Sequence, residues 1–301
     1  MVPASSFPAD SVRGQALFDM HCHLDFAADV RAAAQKAAEV RGAVFFSSTM
    51  DPFSYPASAQ AFAQCPHVHV GLGWHPWRVP SDAFGLEEGL AAFDRAARQT
   101  DVRLFGEVGL DYGRAHAANS RNQRVAFDRV LRFAAQRPGS VVSIHCVRAY
   151  DDALGLIEAS GAAHAGTCIF HWFSGSSDQL GRAIAAGCLF SVGERMLATK
   201  RGRAYARAIP ANRLLLETDL PGEPEISGDG ADAVFQVVES LARAADALAA
   251  LRGGDIAAQM AETSRRALAA ATVRAMCAAD AGSVEVPCAG GNEPVHSPLM
   301  P

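Results

Sequence analysis

Eight short apolar runs, separated mostly by longer stretches rich in Ala, Leu and Arg, constrain this chain more than any other feature. The runs, at 16–21, 43–48, 68–73, 103–108, 141–145, 167–171, 188–192 and 213–218, have the length and residue types of buried strands. Between them, 29–40, 86–98, 122–135, 150–160 and 177–186 suit amphipathic helices, and 231–251 and 255–276 follow the last run. A strand returned by a helix to its neighbour is a parallel βα unit. Eight such units predict the α/β class and a (β/α)8 TIM barrel, whose usual length is about 250 residues. A doubly wound open sheet is the alternative, but no run leads into a GxGxxG or GxxxxGK[ST] turn. The barrel is expected over 15–278, with tails 1–14 and 279–301, rich in Pro, Gly and Ser, expected to be mobile.

Charge and cysteine usage narrow the function classes. With 27 basic against 32 acidic side chains, the net charge of −5 argues against nucleic-acid binding by bulk positive charge. It leaves nucleic acid open as a substrate, because bound metal supplies local positive charge that a sequence sum omits. Seven cysteines without a CxxC pair predict reduced thiols rather than a secreted disulfide framework. No apolar run has the length of about 18 residues that a membrane span needs. The opening MVPASSFPADSVRG lacks a basic start and a hydrophobic centre, so the expected location is the cytoplasm, with no membrane partner.

Chemistry collects at the ends of the runs. In DMHCHLDF, alternation along a strand puts His21 and His23 on one face and Cys22 on the other. His145 closes the fifth run, His171 the sixth and Glu107 the fourth, while Asp219 follows the eighth. Each alone also reads as a structural polar group; six at equivalent positions on five strands point to one site at the C-terminal mouth of a barrel. Buried imidazoles and carboxylates cost several kcal/mol unless neutralised, and divalent cations would neutralise them. Four histidines and two carboxylates suit two ions sharing a carboxylate, about 3.5 to 4 Å apart, that activate water for hydrolysis. The donor set does not choose among Mg, Mn and Zn. No GxSxG elbow is present, and Cys146 is expected to face away from the site.

At these residues the chain resembles the TatD-like metal-dependent hydrolases, the TatD deoxyribonuclease family of the amidohydrolase superfamily. The resemblance runs in order through DMHCHLDF, GLGWHPW, GEVGLDYGR, QRVAF, IHC, HWFSG, LFSVG, LLLETDLP and ETSRRAL. It implies that His21 and His23 bind one ion and His145 and His171 the second. Glu107 then bridges, and Asp219 completes the first site and takes a proton from the attacking water. It also implies a substrate contact for His75 of the GxHP turn. Many members read HxR after the fifth strand, whereas Arg148 here stands one position further along. Many also place an aromatic residue after ETD-x-P, where this chain has Gly222 followed by GEPE without its first glycine, that is, Glu223 to Glu225.

The resemblance implies a deoxyribonuclease acting on single-stranded DNA ends through a two-metal activated water. Arg195, Lys200, Arg201, Arg203 and Arg207 cluster after the seventh run, with Arg201 and Arg203 as candidate phosphate contacts. The same cluster also reads as a solvated helix face. Trp74, Trp77 and Trp172 are candidates for base stacking or for packing at the rim. The alternative substrate is a small amide, ester or lactone, or an aminoacyl-tRNA ester, attacked at the same centre. A non-enzymatic metal-bearing barrel is the third reading.

Overall fold

The structure is a computed structural model that describes residues 16–253 and 255–281. All eight apolar runs form strands: β1 (Leu17–Cys22), β2 (Ala43–Ser48), β3 (Val68–Trp74), β4 (Leu104–Asp111), β5 (Val141–Val147), β6 (Thr167–His171), β7 (Leu189–Val192) and β8 (Leu214–Leu216). Each pairs in parallel with the next, and β8 returns to β1 through Asp19 opposite Leu216, so the sheet closes as a (β/α)8 TIM barrel. The helices are α1 (Val30–Glu39), α2 (Tyr55–Ala61), α3 (Ala83–Gln99), α4 (Ser120–Ala135), α5 (Tyr150–Ser160) and α6 (Ala162–Ala165), then α7 (Ser177–Ala185), α8 (Glu194–Leu197), α9 (Lys200–Ala208), α10 (Gly230–Arg252) and α11 (Ile256–Ala281).

Side-chain caps set several helix starts. Asp29, Asp82, Ser176 and Thr199 each accept a first-turn backbone N–H, and Gln179 completes a capping box with Ser176. Outward strand faces and inward helix faces bury an aromatic layer that includes Phe93, Phe105, Phe127, Phe170 and Phe190. Cys22 points into a second apolar layer under α1 and α10, on the face opposite His21, as alternation requires. At the base, Met20, Phe46, Val141, Ile169 and Leu215 pack against Ala261, Leu268 and Ala271 of α11. That helix touches β1, β5 and β8, and β1 and β5 lie on opposite sides of the ring, so α11 crosses the base.

The differences from the sequence reading concern boundaries. β4 continues to Asp111, so Glu107 does not close its strand; it sits where the register slips against both neighbours. Its N–H bonds Thr49 O and the Gly106 carbonyl accepts from Thr49, which swings Glu107 toward the barrel axis. This needs close backbone approach: a Cβ on Gly73 would lie 1.6 Å from Thr49 O. β8 stops at Leu216, before the expected 218. The expected N-terminal tail, 1–14, lies outside the described residues; of 279–301, residues 279–281 continue α11 and the rest lies outside them.

Candidate metal centre

His21, Glu107, His145 and His171 stand on β1, β4, β5 and β6, while His23, His75 and Asp219 stand just after β1, β3 and β8. Arg148, Trp172 and Asp219 adopt left-handed backbone at φ 54°, 38° and 58°, all within three residues of a strand end. Such angles are strained for bulky side chains and need local support. Trp172 receives it from the Glu217 carboxylate, which accepts the Trp172 N–H at 3.0 Å. Asp219 is tied to β1, its N–H donating to His21 O at 2.9 Å.

Glu107 lies at the centre, with its two oxygens facing different histidines. Oε2 is 3.4 Å from His21 Nε2 and 3.2 Å from His23 Nε2; Asp219 Oδ1 is 3.7 and 3.6 Å from the same nitrogens. Donors about 2.1 Å from a tetrahedral cation stand about 3.4 Å apart, so these four spacings match the edges of a coordination shell. His21 Nε2 is buried without a hydrogen-bond partner, as a nitrogen reserved for a cation would be. On the other side, Oε1 is 2.8 Å from His145 Nδ1, 2.7 Å from His171 Nε2 and 3.3 Å from His75 Nε2. The second group has the right donors, but they are drawn in to hydrogen-bond contact.

The partner of each ring's far nitrogen decides which imidazoles can accept a cation. His23 Nδ1 lies 3.0 Å from the Ser48 carbonyl, which only accepts, so this nitrogen carries a proton and Nε2 is the atom that offers a lone pair to a cation once the ring is neutral. In His75 the arrangement is reversed. Its Nδ1 accepts the Trp77 N–H at 3.1 Å, so the neutral ring carries its proton on Nε2, toward Glu107. Burial pushes His75 down to about 4, which keeps the ring neutral. It is a hydrogen-bond donor into the site rather than a ligand.

Two carboxylates that sequence reasoning missed support the ring of histidines. Asp111 Oδ2 accepts the Trp77 indole N–H at 2.6 Å and lies 3.5 Å from His145 Nε2. Burial opposes its charge, but hydrogen bonds from His145, Trp77 and Gly113 outweigh this and hold its carboxyl well below the usual range. Glu217 accepts the Ser191 hydroxyl at 2.5 Å and comes within 3.9 Å of His171 Nδ1. Burial of the charge is also resisted at Glu107, where His75, His171 and His21 hold the carboxyl well below its ordinary value. Burial likewise opposes charge on His23 and His145, yet Glu107 raises His23 to about 9, and Asp111 with Glu107 does the same for His145. Burial lowers His21 to about 4. Protons thus balance Glu107 where cations would otherwise do so, and cation binding releases them.

His23, His75, Glu107, His145, His171 and Asp219 line a cavity of about 690 Å3 that opens at the mouth, with His21, Asp111 and Glu217 behind them. Trp77 and Trp172 border it, whereas Trp74 is buried against Phe93 in the aromatic layer. Cys146 lies in that layer too, and also borders the cavity. The candidate phosphate contacts lie elsewhere. Arg148 is exposed and does not line the cavity. Arg201 donates to Ser174 O, and Arg203 donates to Leu197 O and Ala198 O at 2.7 and 2.9 Å, closing off the end of α8. Arg195 does border the cavity.

Comparison with known proteins identifies the family and the fold. The TatD related DNase family matches residues 18–269. The "Deoxyribonuclease Tat-D" of Schizosaccharomyces pombe is 33% identical over 142 residues, 47% of this chain and 45% of that protein. The "3'-5' ssDNA/RNA exonuclease TatD" of Edwardsiella piscicida is 34% identical over 146 residues, 47% of this chain and 55% of that protein. The chain spans about half the length of these curated relatives. In fold it resembles a TatD family hydrolase from Entamoeba histolytica, with a TM-score of 0.68 at 16% identity over 86% of this chain and 98% of that one. It also resembles the TatD homologue YJJV of Escherichia coli, with a TM-score of 0.67 at 21% identity over 84% and 96%. The chain belongs to the TatD related DNase family.

Proposed function

We propose that the protein hydrolyses phosphodiester bonds at the ends of single-stranded DNA, using water activated between two divalent cations. The observation that carries this reading is the set of four spacings joining His21 and His23 to Glu107 and Asp219, which match the edges of one cation's coordination shell. His21, His23, Glu107 and Asp219 would hold the first ion, and Glu107, His145 and His171 the second. Bound divalent cations supply Lewis acidity, acidifying water and offsetting the charge that builds on phosphate oxygens. Asp219 has a partly exposed carboxylate facing the cavity and takes the proton of the attacking water. His75 donates its Nε2–H to a substrate oxygen, and Trp77 and Trp172 bound the space where bases stack. The nuclease names of these relatives support a nucleic-acid substrate. The described cysteines Cys22, Cys65, Cys146, Cys168 and Cys188 are free and buried, in keeping with a reducing compartment, and we place the protein in the cytoplasm. No described helix is long and apolar enough to cross a membrane.

The test is a turnover assay with Mg2+, Mn2+ or Zn2+ on labelled single-stranded DNA, an aminoacyl-tRNA and small esters, using Glu107→Ala as the blank. The proposal expects DNA cleavage that a chelator abolishes and added cation restores. Cleavage of esters alone would replace it with the small-substrate reading.

A further inference from the structure

Among the described residues, the arginines that line the cavity are Arg78 and Arg195; Arg148, Arg201 and Arg203 do not border it. Arg78 follows Trp77 in the turn after β3, and Arg195 stands on α8, the single helical turn after β7. In the closed ring β3 and β7 are four strands apart in either direction, so the two turns face each other across the mouth. Each arginine has a tryptophan beside it. Trp77 precedes Arg78 and is 53% exposed, and the Arg195 guanidinium lies 5.9 Å from the Trp172 ring centroid. The centre built on Glu107 lies between the two pairs.

Arg195 is also kept available. Its acidic neighbour Glu194 turns away to pair with Arg243 at 2.8 Å and to accept the Ser240 hydroxyl at 2.6 Å. Its own contact with Asp219 Oδ2 is long, at 3.5 Å, and its side chain is 48% exposed. Gly222 provides the room: a Cβ there would lie 2.8 Å from Arg195 Nη2. The missing side chain that departs from the usual pattern after ETD-x-P leaves room for the guanidinium in this position. Glu223 also borders the cavity and is the acid that substrate phosphate must pass on this side.

We propose that the mouth is a two-ended phosphate track, in which a single strand crosses from Trp77 and Arg78 to Trp172 and Arg195 with one phosphate on each arginine and the scissile phosphate between them, so that cleavage near an end releases a piece of two or more nucleotides. The track rests on the phosphodiesterase reading above. Guanidinium groups suit phosphate because their donors form a fork, and aromatic faces accept any base. Neutralising one phosphate of a single strand contributes about 0.7 to the slope of log affinity against log salt.

The test measures binding of a fluorescein-labelled thymidine oligomer by anisotropy across a KCl series, alongside kcat/KM for its cleavage, with the full chain loaded with Mg2+. Arg78→Ala and Arg195→Ala should each flatten the salt slope by about 0.7, and the double variant by about 1.4. Arg195→Lys should keep the wild-type slope, and Gly222→Leu, which displaces the guanidinium without removing charge, should behave as Arg195→Ala does. Slopes unchanged in either single alanine variant, while the wild type binds and cleaves the oligomer, would overturn the track alone. A wild type that neither binds nor cleaves it would overturn both the track and the phosphodiesterase reading.

Discussion

Whether an imidazole in this centre accepts a cation or donates a proton is decided by the partner of its other nitrogen. The Ser48 carbonyl behind His23 and the Trp77 N–H behind His75 impose opposite tautomers on two rings that face the same carboxylate. His23→Gln should therefore lose bound metal. His75→Gln, whose amide also donates, should keep it and retain more activity than His75→Ala, which is expected to fall by about a hundredfold. Metal content by plasma mass spectrometry, read beside kcat, checks both, and equal metal loss in the two Gln variants would contradict the assignment. A second residue-scale expectation concerns Asp19, which burial raises from 3.8 to about 7 while it accepts hydrogen bonds from the N–H groups of His21 and Thr218 and from the Thr218 hydroxyl. Between these values the folded state holds a proton that the unfolded chain has released, so stability falls as pH rises through the window and then levels. Asp19→Asn should lose less of its urea midpoint than the wild type between about pH 5 and about pH 8, with chelator present; an equal loss would contradict the buried, protonated Asp19. His21, His23, Glu107, His145, His171 and Asp219 were legible because each adjoins an apolar run. Asp111 and Glu217 were not, since a carboxylate that acts through hydrogen bonds leaves no spacing pattern. The one available signal was an acidic residue beside an already suspected ligand. Arg201 and Arg203 stand outside the cavity lining; a basic run shows charge but not which of its side chains reach the mouth.

At the scale of elements, the sequence reading located every strand because buried parallel strands are continuous apolar runs. It missed α2, which opens on Tyr55 and Pro56, and the short α6 and α8, and it read α9 only as one alternative for the basic cluster, because KRGRAYARA carries too much charge and a glycine to display a clear apolar stripe. It also ended β4 too early, because the register slip at Glu107 depends on Thr49, a residue far away in the chain. Helix starts at the mouth depend on local caps, and α7 begins six residues after His171. Ser176→Ala removes half of a capping box and should lower stability by about 1 kcal/mol in urea unfolding. Metal content should remain unchanged, because β6 rather than α7 carries His171; loss of metal at full stability would contradict that division of labour.

For the whole molecule, closing the sheet with α11 across the base leaves one open end, and the turns there gather groups from β1, β3, β4, β5, β6 and the segment after β8 around Glu107. Excess protons on His23 and His145 mark where positive charge is wanted, so cation uptake should release protons and weaken as pH falls below about 9. Anomalous diffraction from crystals soaked in Mn2+ tests the central claim most directly. Two peaks are predicted, one among His21, His23, Glu107 and Asp219 and one among Glu107, His145 and His171, with Glu107 between them. Absence of peaks, or peaks away from Glu107, would contradict it.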